Sequence, residues 1–209
     1  MNRPSGFEGN QLIPVVVFPL KMTRASIGIR THSGWAVLVA VTCKADSVEV
    51  LARRRAVIAA ADIPGSKQPY HTAESIGLPK AERFLAECTA ASERLASAAI
   101  RELVNDLRAQ HLEVAGAAVL LASGRPLPEL PRILASHALI HTAEGEFYRG
   151  ALRHACEALG LPVTGVPERG LADRAPQHVQ HLSNLGHSIG PPWTADHKAA
   201  ALAAALLLA

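Results

Sequence analysis

The sequence predicts an α/β fold: a mixed five-stranded sheet, with a three-strand antiparallel meander plus two parallel strands and helices on both faces. Three observations carry that expectation. Residues 26–38 read Ser-Ile-Gly-Ile-Arg-Thr-His-Ser-Gly-Trp-Ala-Val-Leu, an apolar strand, a tight polar turn and a second apolar strand running straight back. Residues 78–110 place Phe84, Cys88, Ala91, Leu95, Ala98, Leu103 and Leu107 at helical spacing. Residues 114–122 are then continuously apolar, as expected of a central strand covered on both faces.

The elements follow in order. Residues 1–24, with Pro4, Pro14, Pro19, Lys21 and Arg24, read as an irregular N-terminal lead-in, and residues 25–209 as a single domain. Strands are expected over 25–31, 35–44 and 48–60, joined by Thr-His-Ser-Gly and Ala-Asp-Ser turns short enough to force antiparallel pairing. The third strand alternates poorly, and Arg53 to Arg55 mark it as an exposed edge, because charge blunts edge pairing. Pro79 suits the first turn of the long helix. Residues 128–160 are helical, in two pieces, and 162–167 form a short strand. Residues 168–192, rich in Pro, Gly, His and Gln, read as loop, and Thr194 caps a last helix over 196–208.

Composition narrows the function classes. The 209 residues are 49% hydrophobic and 19% charged, enough to bury one sizeable core. A net charge of +3, with ten histidines that add positive charge in mild acid, admits anionic partners without requiring them. Aromatic residues are only 4%, which disfavours a stacking platform for single strands. Cys43, Cys88 and Cys156 are odd in number and widely spaced, so neither a disulfide framework nor a zinc ribbon is indicated and a reducing, cytoplasmic setting is expected. Val15 to Phe18 is too short for a signal segment. The apolar run 199–209, at roughly 1.5 Å per residue, spans about half a bilayer core. No membrane partner is expected.

Strand, strand, strand, helix, strand, helix, strand, helix is the order of ribonuclease H-like domains, and the chain resembles their RuvC-type Holliday-junction resolvase branch. That branch has a Gly-Ile-Asp first strand and a Gly-Trp-Ala-Val-like second strand, echoed here by Gly28-Ile29-Arg30 and Gly34-Trp35-Ala36-Val37. Its closing helix starts with acids and runs into alanines, as 195–202 do. The resemblance implies two divalent metals held by carboxylates from the first strand, the fourth strand and the last helix, for in-line displacement at phosphorus. Those places fall on Arg30, on 121–123 with no carboxylate before Glu129, and on Asp196. One acid in three implies a degenerate two-metal site. Asp196 is explained equally by the preference for acids in a first helical turn.

Other polar groupings offer alternatives. Arg30, His32 and Ser33 in the first turn, with Ser123 and Arg125 at the end of the fourth strand, have the donors of an anion site. On one helix, His137, His141 and Glu144 recur at i, i+4 and i+7 and form a candidate divalent-metal set, although a polar helix face explains them too and Gly145 is a candidate helix break. His71-Thr72-Ala73-Glu74 recurs as His141-Thr142-Ala143-Glu144; should the two meet, they would pair into a binding site. His178, His181 and His187 read as solvated loop. The chain lacks a Gly-x-Ser-x-Gly elbow, a phosphate-binding Gly-x-x-x-x-Gly-Lys loop and a Gly-x-Gly-x-x-Gly turn.

Three readings follow. The first is a domain without two-metal chemistry that binds an anionic ligand, nucleic acid or a protein partner. The second is a phosphoesterase or nuclease with a rebuilt site, in which His141, Glu144 and Asp196 are catalytic and His137, His141 and Glu144 hold a divalent metal. The third is a subunit that assembles, as a homodimer for instance, through its alanine-rich last helix.

Overall fold

A computed structural model describes residues 22–44, 47–122 and 126–208. Five strands form one sheet in the order β3-β2-β1-β4-β5. β1 (Thr23–His32), β2 (Trp35–Lys44) and β3 (Ser47–Val57) make the antiparallel meander. β4 (Leu112–Leu121) pairs parallel to β1, and β5 (Val163–Pro167) parallel to β4. The expected mixed sheet is present. His32 pairs with Trp35, leaving Ser33 and Gly34 as the hairpin loop, where Gly34 takes φ +82°, a conformation that side chains resist.

Helices cover both faces. On one, α2 (Leu78–Ala109) and α4 (His137–Glu157) pack on Ile27, Ile29, Leu38, Ala117 and Val119 through residues such as Ile100, Leu103, Tyr148 and Leu152. On the other, α8 (Ala195–Ala205) and the short helices α5 (Leu171–Arg174) and α6 (Pro176–Asn184) pack on Val37, Val39, Ala118, Leu120 and Val166. β4 supplies alternate residues to each core, which is why its run shows no polar alternation.

Several boundaries differ from expectation, each for a physical reason. The third strand alternates poorly because the β2–β3 register shifts between Ala40 and Val41, leaving Leu51 as an extra residue. The bulge reverses the faces: Val48 and Val50 join the α8 side, Ala52 and Ala56 the α2 side. β3 is an edge strand, but only Arg55 of its three arginines is exposed. Arg54 pairs with Glu102 and Asp106 of α2. Arg53 donates to the carbonyls of Ile189 and Gly190 (both 2.6 Å), Pro192 (2.8 Å) and Pro191 (3.4 Å), and so holds the segment that leads into α8.

On α2 the buried stripe runs through Cys88, Ala91, Ser92, Ala96, Ile100 and Leu103, while Leu95 and Ala98 are exposed; the 3.6-residue period turns them outward. A helix absent from the expectation, α1 (Pro69–Glu74), precedes α2. The helical stretch 128–160 divides into α3 (Leu130–Leu134) and α4, which continues through Gly145 because its neighbours keep the helical pattern. The expected loop over 168–192 contains α5, α6 and α7 (Gly186–Ile189). His178 is buried and His181 Nε2 bonds the Val48 carbonyl at 2.7 Å, so neither is a solvated loop residue. Most of the lead-in, 1–21, lies outside the described residues, and Thr23 and Arg24 already belong to β1.

α8 lies directly on β1. The Ser26 hydroxyl donates to the Ala204 carbonyl at 2.7 Å, and Gly28 faces the backbone of Ala200. Ala200 to Ala205 are buried within the chain, and Leu206 to Leu208 beyond them are half-buried. Among the described residues, no helix is long and apolar enough to cross a membrane.

A histidine caps the start of α8. The Thr194 backbone N–H donates to His197 Nδ1 at 3.3 Å and the Thr194 hydroxyl lies 2.8 Å from the same nitrogen, a capping box that requires a neutral imidazole. Burial, then the charge of Arg53, lowers the His197 pKa below its ordinary value, against an opposing pull from Asp196. The unfolded chain therefore takes up the proton first. Stability from this group is complete above about pH 6.5 and is lost as pH falls through the depressed folded value. Thermal melts from pH 8 to 5 are expected to show a shallower loss for His197→Gln than for wild type. Parallel curves would remove the cap from the explanation.

Candidate functional site

The parallel strands β1, β4 and β5 end on one edge of the sheet, where open α/β sheets place ligands. Two polar clusters meet there, one on each face, because side chains at the end of β1 alternate. Arg30 and His32 share the α8 side with Ser26 and Gly28, whereas Thr31 shares the α2–α4 side with Ile27 and Ile29.

On the α8 side, Arg30 Nη1 donates to Glu168 Oε2 at 2.7 Å, and Nε to Asp196 Oδ1 at 3.4 Å. The second oxygen of Asp196 accepts from His32 Nε2 at 3.0 Å. The His32 ring stacks on Trp35, with centroids 4.1 Å apart and planes 9° from parallel, and the Arg55 guanidinium lies 4.3 Å from the Trp35 centroid. Arg30 and Asp196, suggested separately by sequence, are thus joined. Glu168 was not anticipated; its position directly after a parallel strand was the available signal. Arg30, whose side chain is 24% exposed, faces two carboxylates and is not an open anion ligand.

On the opposite side, α1 and α4 bring three imidazoles together. His137 and His141 have Nε2 atoms 3.0 Å apart, and the His71 ring centroid lies 4.8 Å from that of His141 and 5.6 Å from that of His137. Glu144 does not join them as a third group on the helix face. Its carboxylate turns to α1, where Oε1 accepts from the backbone N–H groups of Tyr70 (2.8 Å) and His71 (3.1 Å) and lies 3.1 Å from His71 Nδ1. The carboxylate thereby caps α1, which has no side-chain cap of its own, and aims the His71 ring. Burial raises the Glu144 pKa, and the bonds from His71 and Tyr70 oppose that shift. The two His-Thr-Ala-Glu segments therefore meet through His71, His141 and Glu144, and the repeat was the signal for His71.

A pocket of about 230 Å³ lies beside this cluster, lined by Thr31, Ser33, Gln68, His71, His141 and Glu144. His32 also borders it and links the two clusters, since it bonds Asp196. Glu144 Oε2 and Thr31 Oγ1 are buried and have no hydrogen-bond partner among the described residues. An open groove of about 640 Å³ adjoins at Gln68 and His71 and includes the exposed Lys67. Asp196 belongs to the α8-side cluster and not to the histidines. Ser123 and Arg125 lie outside the described residues.

A meander extended by two parallel strands, with helices on both faces and a closing helix laid on the first strand, is the RuvC-type ribonuclease H-like fold. Among solved structures, it is similar to Thermus thermophilus RuvC in complex with a Holliday-junction substrate, at TM-score 0.50 and 14% identity, covering 88% of this chain and 92% of that one. A second structure of Thermus thermophilus RuvC matches at TM-score 0.50 and 11% identity, covering 86% and 90%. The likeness is one of fold. No protein-family model and no curated protein matches the sequence.

Proposed function

We propose that this chain binds the phosphate backbone of duplex or branched nucleic acid and does not cleave it by the two-metal route. The observation that carries this reading is the Arg30 bridge. The resemblance puts a metal-binding aspartate there, and the residue present is a fixed cation placed on Glu168 and Asp196. Residues 121 and 122, at the fourth-strand position, contribute no carboxylate. This donor set, a guanidinium on two carboxylates, does not fit a pair of divalent metals.

Three features support nucleic acid as the ligand. A related fold, that of Thermus thermophilus RuvC, has been solved with a Holliday-junction substrate. The chain is basic, with a pI of about 9.0. Its scarcity of aromatic residues favours backbone contact over base stacking. The groove at Lys67 and Gln68 offers one positive and one amide contact beside the sheet edge.

Fluorescence anisotropy with a labelled four-way junction, a duplex and a single strand tests the reading. Junction or duplex is expected to bind more tightly than single strand, with affinity falling steeply as salt rises, and the bound DNA is expected to stay intact in Mg²⁺. Absence of binding at low salt would overturn it. So would Mg²⁺-dependent cleavage abolished by Asp196→Asn.

A further inference from the structure

We infer that His71, His137 and His141 form a binding site for one transition-metal ion of the Zn²⁺ class, with an open position toward the pocket at Thr31. The inference goes beyond nucleic-acid binding and does not depend on it. One potential ligand atom from each ring lies within 4.8 Å of the other two, in an arrangement drawn from two separate helices. The 3.0 Å between His137 Nε2 and His141 Nε2 is near the separation of about 3.3 Å expected for two nitrogens bound to a tetrahedral ion at 2.0–2.1 Å. Spacing at i and i+4 sets these two rings on one face of α4.

Glu144 provides the independent observation. Metal-binding histidines commonly donate their second ring nitrogen to a carboxylate, which fixes the tautomer and leaves the other nitrogen free to bind. His71 Nδ1 lies 3.1 Å from Glu144 Oε1 in this relation, so its Nε2 carries the lone pair. Glu144 is only 4% exposed and borders the pocket, and its Oε2 is buried without a partner among the described residues. A carboxylate kept there against its desolvation cost is explained by the two α1 N–H groups that it caps and by the ring that it orients.

The donor set selects the metal class. Three imidazoles suit Zn²⁺ and its neighbours in the transition series, whereas Mg²⁺ and Ca²⁺ prefer oxygen ligands. Three protein ligands leave a further coordination position for an exchangeable oxygen, and the hydroxyls of Thr31 and Ser33 border the same pocket.

The test uses the full chain, freed of metal by chelator and titrated with Zn²⁺ against a competing chelator, with Co²⁺ as the optical probe. One equivalent is expected to bind, with a visible Co²⁺ band of a low-coordinate nitrogen site. His71→Ala and His141→Ala are expected to lose at least 100-fold in affinity, and Glu144→Gln 10- to 100-fold. His137→Gln changes an exposed side chain, which spares the fold, and is also expected to lose binding. His154→Ala, an exposed histidine elsewhere on α4, is expected to bind as wild type does. Weak or substoichiometric binding by wild type would overturn the site and leave His137 and His141 as a hydrogen-bonded pair. Equal binding by wild type and His137→Gln would overturn it as well.

Discussion

Gly28→Ala is expected to be the most damaging single methyl group that can be added to β1. A Cβ at residue 28 would lie 1.8 Å from the Ala200 carbonyl oxygen and 2.5 Å from its carbon, and both are backbone atoms that no rotamer change can move aside. The last helix would have to lift from the sheet and take its buried alanines with it. Overpacking a core typically costs about 1–3 kcal/mol, and a backbone clash of this depth belongs at or above the upper end. For a chain of this size that is a fall in Tm of roughly 6–12 °C. A melt within 2 °C of wild type would show that α8 does not rest on the first strand as described.

Arg30→Asp is expected to exchange an internal ion bridge for a cation requirement. The substitution removes the positive partner of Glu168 and Asp196 and adds a third acid beside them, so the variant should melt below wild type at low salt. The loss is moderate because these side chains are partly exposed. The larger effect is the response to Mg²⁺, an oxygen-seeking ion that the histidine cluster would not take up. With a millimolar site, 10 mM Mg²⁺ returns about 1.4 kcal/mol, or roughly 3–6 °C in Tm. Wild type is expected to show no such rise. Equal shifts in the two proteins would mean that Arg30 does not stand in for a metal ligand.

The fold was legible where local pattern and tertiary environment agree. The Ser33–Gly34 turn forces the first hairpin, and the unbroken apolar run of β4 follows from its two covered faces. Legibility failed where a single residue changed the phase. Leu51 turns the alternation of β3 over in mid-strand, and the 3.6-residue period of α2 moves Leu95 and Ala98 out of the core. The short helices α5 to α7 escaped because Gly, Pro and His are weak helix formers and are held here by packing and by Arg53. The site was half legible. Periodicity shows that His137 and His141 share a face and the repeated His-Thr-Ala-Glu points to His71, but only the tertiary fold brings His71 beside them and turns Glu144 toward α1. Arg30 and Asp196 were identifiable singly; their union with Glu168 depends on where β5 ends.

The chain has two tryptophans, and each stands against a histidine: Trp35 stacks on His32, and the Trp193 ring centroid lies 5.9 Å from that of His197. Indole emission responds to the groups packed against it, so the protein carries two indole reporters, one beside the Asp196 bridge and one at the head of the last helix. Trp35→Phe leaves a reporter of the His197 cap, and Trp193→Phe leaves a reporter of His32. Emission from these variants would follow the two places in real time without any added label.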